Sequence, residues 1–99
     1  MSMQHTVVFS LTHARGSAEE ADFIQWAKTT LTSIDFVKDF VVNQQVSPLS
    51  DYTWQFSMVF DDQAEFEAYN THPTHVMLLE TRWAAEVPSA MQLDFVVKA

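Results

Sequence analysis

The sequence predicts an α+β fold, a ferredoxin-like β-α-β-β-α-β sandwich with one four-stranded antiparallel sheet and helices on one face. Three observations predict it. Apolar residues recur with a period of two near each end of the chain and twice in its middle, which is the signature of half-buried strands. Stretches of helical period, each opened by a capping sequence, separate the strands. Finally, 99 residues with 47% apolar side chains have room for a single hydrophobic core, so residues 1–99 are read as one domain.

The first strand runs from Met3 to Leu11, with Met3, His5, Val7, Phe9 and Leu11 on one face and Gln4, Thr6, Val8 and Ser10 on the other. Ser17 precedes Glu20 by three residues in a capping box. Phe23, Trp26, Ala27, Leu31 and Ile34 then follow at helical spacing, placing a helix over roughly Ala18 to Ser33. From Phe36 to Val46 a second β-rich run sets Phe36, Phe40 and Val42 on one side with Lys38, and Ser47-Pro48-Leu49-Ser50-Asp51 turns it into a hairpin. The next strand has a wholly apolar face, Trp54, Phe56, Met58 and Phe60.

Asp62 and Glu65 repeat the capping logic before Ala64, Phe66, Ala68 and Tyr69, a short helix ending near Asn70. Pro73 suits the first turn of a further helix with His72 close to its N-cap, and Val76, Leu79 and Trp83 form its predicted apolar stripe up to Pro88. In the last strand Met91, Leu93, Phe95 and Val97 alternate with Gln92, Asp94, Val96 and Lys98. Alternation leaves the helix-free face with Gln4, Thr6, Val8, Val37, Val41, Thr53, Gln55, Val59, Gln92 and Val96. That set is too mixed for a core and too apolar for open solvent. Two copies packed through this face would satisfy both, so a homodimer is expected.

Composition excludes several classes of function. The single glycine, Gly16, rules out a P-loop or a dinucleotide fingerprint, both of which need several glycines beside phosphate. Without cysteine there is no disulfide, thiolate zinc site or cysteine nucleophile. Thirteen acidic against five basic residues, a net charge of −8, would repel nucleic acid and anionic lipid, so neither is an expected partner. No apolar run is long enough to span a bilayer and no export signal is visible, which leaves a cytoplasmic location as the expectation.

The most informative stretch is Ala68-Tyr69-Asn70-Thr71-His72-Pro73-Thr74-His75, followed by Val76-Met77-Leu78-Leu79. With Gln4-His5-Thr6-Val7-Val8-Phe9, the Ser17 capping box and the order of elements, it resembles the stress-responsive dimeric α/β barrel (Dabb) family over nearly the whole chain. The resemblance implies a homodimer whose two sheets close into a barrel. A few plant members are polyketide cyclases, and their acid/base pair corresponds to Tyr69 and His75, with His5 lining the same pocket. Bulky Val76, Met77, Leu78 and Leu79 stand where the cyclase has glycines, so the pocket should differ in volume.

Such a pair has a definite chemistry. A neutral imidazole, with its ordinary pKa near 6.5, can take a proton from carbon beside a carbonyl, while a tyrosine hydroxyl, ordinarily near 10, hydrogen-bonds the developing enolate. The leading expectation is a Dabb-type small-molecule binding protein for an apolar, carbonyl-bearing or aromatic ligand. Its pocket is expected to be lined by His5, Val7, Phe9, Phe23, Phe40, Phe56 and Leu78, with no cofactor. One alternative is a cofactor-independent cyclase-like enzyme in which Tyr69 and His75 close a ring by aldol-type chemistry; another is a structural stress protein without a ligand.

Plainer roles compete for the same residues. His72 beside Pro73 reads as a helix cap, Tyr69 and His75 as core, and Trp26, Trp54 and Trp83 as core or pocket wall. His72-x-x-His75 with nearby Glu80 has ligand-like spacing, but Pro73 breaks the helix and no further ligand is placed, so no metal site is expected. Asp61, Asp62, Glu65 and Glu67 read as a solvated helix start.

Overall fold

The computed structural model describes residues 2–96 and 98. Its elements are β1 (Met3–Ser10), α1 (Ala18–Thr32), β2 (Lys38–Gln44), β3 (Trp54–Phe60), α2 (Gln63–Thr71), α3 (Pro73–Leu78), a π-helical turn (Leu79–Trp83), α4 (Ala84–Glu86) and β4 (Ser89–Val96). The four strands form one antiparallel sheet in the order β2-β3-β1-β4. With β3 inserted between β1 and β2, this is the split βαβ arrangement of a ferredoxin-like α+β fold.

Local chemistry sets the helix starts. The Ser17 hydroxyl accepts from Glu20 N–H, and the Glu20 carboxylate accepts from Gly16 N–H at 2.9 Å and from Trp54 Nε1 at 3.0 Å. Those bonds satisfy an acid that is otherwise buried under the start of α1. Gly16 itself is in the left-handed region, with φ of 78°, where a side chain would be strained. Phe23, Ala27 and Leu31, four residues apart, form the buried stripe of α1 and pack with Ile34 on Phe9, Phe56, Met58 and Phe60 of the sheet. At α2, Asp62 Oδ1 accepts from Glu65 N–H at 2.9 Å; Phe66 and Tyr69 are buried, while Ala64 and Ala68 face solvent.

Four expectations about side-chain direction need correction. Asp39, with φ of 51°, makes an irregularity in β2 that shifts its register on β3 between Lys38 and Val41. Simple alternation therefore fails there: the Lys38 ammonium leaves the Phe40 side and reaches Glu65 at 3.1 Å and Asp61 at 3.3 Å. Val37, expected on the helix-free face, packs against the core instead.

In the helical segment after Pro73, the predicted stripe is rotated by one residue. Leu78 is buried and Leu79 exposed, because one turn of π-helix widens the spacing so that Leu78 and Trp83, five apart, share the inner side. In β4 the faces are inverted. Val7 stands opposite Gln92 and His5 opposite Asp94, so Gln92, Asp94 and Val96 lie on the helix side. Met91, Leu93 and Phe95 then lie on the helix-free side, each about half exposed, as is Val41 on β2 at the other edge of the sheet. Val97, the last apolar residue expected in that series, lies outside the described residues.

The β1–α1 connection is tied to α4 by polar contacts. Thr12 N–H donates to the Glu86 carbonyl at 2.9 Å, His13 Nε2 meets the Glu86 carboxylate at 2.6 Å, and Arg82 holds that carboxylate at 2.6 and 3.0 Å while reaching Asp22 at 3.1 Å. The Arg82 guanidinium, seconded by His13, pulls the Glu86 carboxyl down to about 2. Among the described residues no helix is long and apolar enough to cross a membrane.

Candidate functional site

A cavity of about 410 Å³ lies between the sheet and the helical segment that follows β3. Its floor is His5, Val7, Phe56 and Met58, with Ala90 and Gln92 of β4; its other walls come from Leu31, Tyr69, Asn70, His75, Leu78, Leu79 and Trp83. It exists because the inner side of β4 carries small or polar residues and stays exposed, so the space between that strand and α3 is not filled by core.

Tyr69 reaches the cavity because it follows Phe66 by one helical turn and shares its buried side. His72 then leaves the helical conformation, and its Nδ1 accepts from Thr74 N–H at 3.1 Å, so α3 starts anew at Pro73. That break brings His75 back over Tyr69, with ring centroids 4.2 Å apart and planes inclined by 33°. His75 Nδ1 lies 3.3 Å from the Asn70 carbonyl. A carbonyl can only accept, so Nδ1 carries the hydrogen and Nε2 holds the lone pair. Burial lowers the His75 pKa, aided by His5 and His72 and opposed by the Asn70 carbonyl. Burial likewise raises the Tyr69 phenol above its ordinary value. Near neutral pH the pair is therefore an un-ionised hydroxyl donor beside an un-ionised imidazole base.

On the sheet side His5 is buried, with its ring 5.5 Å from that of Tyr69 and 5.2 Å from that of Phe66. Its Nδ1 donates to Asp94 Oδ1 at 2.5 Å, and Asp94 Oδ2 accepts from the Gln92 amide at 2.8 Å. The carboxylate fixes the ring orientation and leaves His5 Nε2 as the second nitrogen.

Of the residues singled out from sequence, His5, Val7, Phe56, Tyr69, His75 and Leu78 line this cavity. Phe9 and Phe23 do not. Both are fully buried, in contact with each other and with Trp83, and belong to the core beside it. Phe40 packs on Phe56, with centroids 5.3 Å apart, and is not part of the lining. Sequence reasoning missed Asp94 and Gln92, because their direction depends on a pairing with β1 across some 85 to 90 positions that no local pattern encodes. It also missed Ala90, Asn70, Leu31 and Met58 as lining residues. His72 serves as a cap, and among the described residues no three His, Asp or Glu side chains are grouped as metal ligands.

Comparison with known proteins agrees with the architecture. The family model described as the stress responsive A/B barrel domain (Dabb) matches residues 3–97. Among solved structures, a Dabb family protein with a ferredoxin-like fold from Mesorhizobium loti is 43% identical with a TM-score of 0.96, over 99% of this chain and 98% of that one. A dimeric protein of unknown function from Bacteroides fragilis is 21% identical with a TM-score of 0.71, over 97% and 96% of the two chains. A hydroxynitrile lyase from Passiflora edulis is 16% identical with a TM-score of 0.79, over 98% and 94%. The last two likenesses are of fold. A search of the curated proteins found no match.

Proposed function

The chain belongs to the stress responsive A/B barrel domain family, and from that premise we propose that it is a homodimeric small-molecule binding protein whose cavity takes an apolar, carbonyl-bearing or aromatic ligand. The observation that carries this reading is the cavity of about 410 Å³, in which the polar groups of Tyr69, His75 and His5 converge among apolar walls. A volume of this order is typical of sites for small organic ligands. The neutral Tyr69 hydroxyl is suited to hold a ligand oxygen, and Phe56, Leu78 and Trp83 to exclude water from its apolar body. A second copy is expected on the helix-free sheet face, where Met91, Leu93 and Phe95 lie half exposed.

Mass spectrometry of organic extracts from the purified protein tests the binding reading. The Ala90→Trp variant fills the cavity from the exposed strand without touching the core. A compound enriched by the parent and absent from the variant is the expected result; indistinguishable extracts, together with no response of the thermal midpoint to added aromatic ketones, would refute it.

One observation favours a second reading, that of an enzyme. His75 is held as a neutral base with its Nε2 lone pair free of the Asn70 carbonyl, and it stacks on a neutral hydroxyl donor. With a carbonyl substrate bound there, His75 would remove a proton from the adjacent carbon while Tyr69 stabilised the enolate oxygen. Attack of that carbanion on a second carbonyl would then form the C–C bond and close a ring, the carbonyl becoming an alkoxide that takes back the proton His75 had removed. The fold is one that a hydroxynitrile lyase also uses.

A further inference from the structure

The polar groups of the cavity are unevenly placed. Tyr69, Asn70, His75 and His5 gather at the level where His5 faces Asp94 across the strands. One strand repeat away, about 7 Å along the sheet, Val7 faces Gln92. At that level Gln92 is the polar side chain of a wall otherwise made by Val7, Ala90 and Trp83.

The orientation of its amide is fixed by chemistry. Asp94 Oδ2 accepts from Gln92 Nε2 at 2.8 Å, and an ionised carboxylate only accepts, so nitrogen and not oxygen must face it. The other Asp94 oxygen is taken by His5 Nδ1 at 2.5 Å, which anchors the carboxylate in turn. Gln92 Oε1 is thereby turned away from Asp94, as an acceptor without a side-chain partner among the described residues. Gln92 is solvent-exposed, and an apolar ligand lying against this oxygen would offer it no hydrogen bond. A ligand with a hydroxyl or N–H at the same place would supply one.

Resting on the small-molecule reading of the cavity, we infer that Gln92 is a specificity-determining residue. It selects ligands that bear a hydrogen-bond donor for Gln92 Oε1 in addition to the oxygen held at the Tyr69 end. The ligand class is thus narrowed from any apolar carbonyl compound to one polar at both ends, such as a hydroxylated aromatic ketone.

The test uses two probes, acetophenone and 4'-hydroxyacetophenone, which differ by one hydroxyl at the far end of the ring. Binding is followed by NMR titration of the parent, of Gln92→Leu and of Gln92→Met, the last two close in volume to the parent side chain. The expected result is a preference of the parent for the hydroxylated probe on the order of tenfold, the worth of one hydrogen bond. In a correctly folded variant that preference disappears while acetophenone affinity is kept. Equal affinity of the parent for both probes, or a preference that survives in both variants, would overturn the inference and leave the cavity reading standing. If neither probe shifts the resonances of His5, Tyr69 and His75, the cavity reading itself fails and the inference with it.

Discussion

Leu93→Asp should convert the protein from dimer to monomer. Leu93 sits midway along the edge strand β4 on the helix-free face, 49% exposed, between Met91 at 48% and Phe95 at 50%. Fully burying a leucine is worth about 1.5–3 kcal/mol, so covering the remaining half is worth about 1 kcal/mol. A two-fold symmetric contact counts it twice, giving about 2 kcal/mol. The introduced carboxylate must also lose its hydration against an apolar partner face, a cost of several kcal/mol for each ion left unpaired. Even a small part of that cost raises the total above about 3 kcal/mol, which weakens association by at least a hundredfold or so. Sedimentation velocity from about 0.1 to 100 μM, a span that brackets ordinary dimer affinities, reads the change directly. The parent should sediment as two chains and the variant as one, with cooperative unfolding retained. Gln92→Glu is the control, since this side chain lies on the opposite face and should leave the mass unchanged. A parent that sediments as one chain at every concentration, or a Leu93→Asp variant that dimerises like the parent, would refute the reasoning.

Phe56 is 1% exposed against Phe9, Phe40 and Trp83, so Phe56→Ala should cost about 3–5 kcal/mol in urea unfolding, and a midpoint that barely moves would show the β3 face misassigned. Under the enzyme reading, His75→Ala should lower kcat by about a hundredfold or more with little change in KM. Because burial depresses the His75 pKa, the acid limb of kcat against pH should fall below the ordinary imidazole value of 6.5, and a limb at or above it would count against His75 as the base. Glu86 has its pKa lowered from 4.5 to about 2, so its stabilising contribution is full above 4.5 and is lost as pH falls towards 2. Glu86→Gln should therefore flatten the acid arm of stability measured by denaturant midpoints over that window; an arm as steep as the parent's would place the linkage elsewhere.

Much of this protein was legible as local pattern. Period-two alternation placed β1 and β3 and told inward from outward correctly, since Phe56, Met58 and Phe60 are all buried. Caps were equally readable, because Ser17, Asp62 and His72 act on backbone donors two or three residues away and need nothing from the rest of the chain. The Tyr69 and His75 pair also lies within one short stretch, where the Pro73 break and the helical period together fix both directions.

What failed did so where direction is set by a distant partner. In β4 apolar residues alternate with polar ones and the apolar set was taken as inward, yet pairing with β1 turns Met91, Leu93 and Phe95 out and Asp94 and Gln92 in. An edge strand facing a cavity on one side and a broad apolar face on the other inverts the usual rule of hydrophobic inside. The π-helical turn likewise set Trp83 five residues from Leu78 on the inner side and left Leu79 exposed, a spacing that a fixed helical period cannot express. The sequence by itself therefore determined which elements form and which faces of β1, α1 and β3 are buried, because those depend on contacts within a few residues. Only the tertiary structure decided that a cavity remains beneath β4, that Gln92 lines it and that Asp94 holds His5 beside it, because strand register couples residues nearly ninety positions apart and a one-residue change would exchange the two faces.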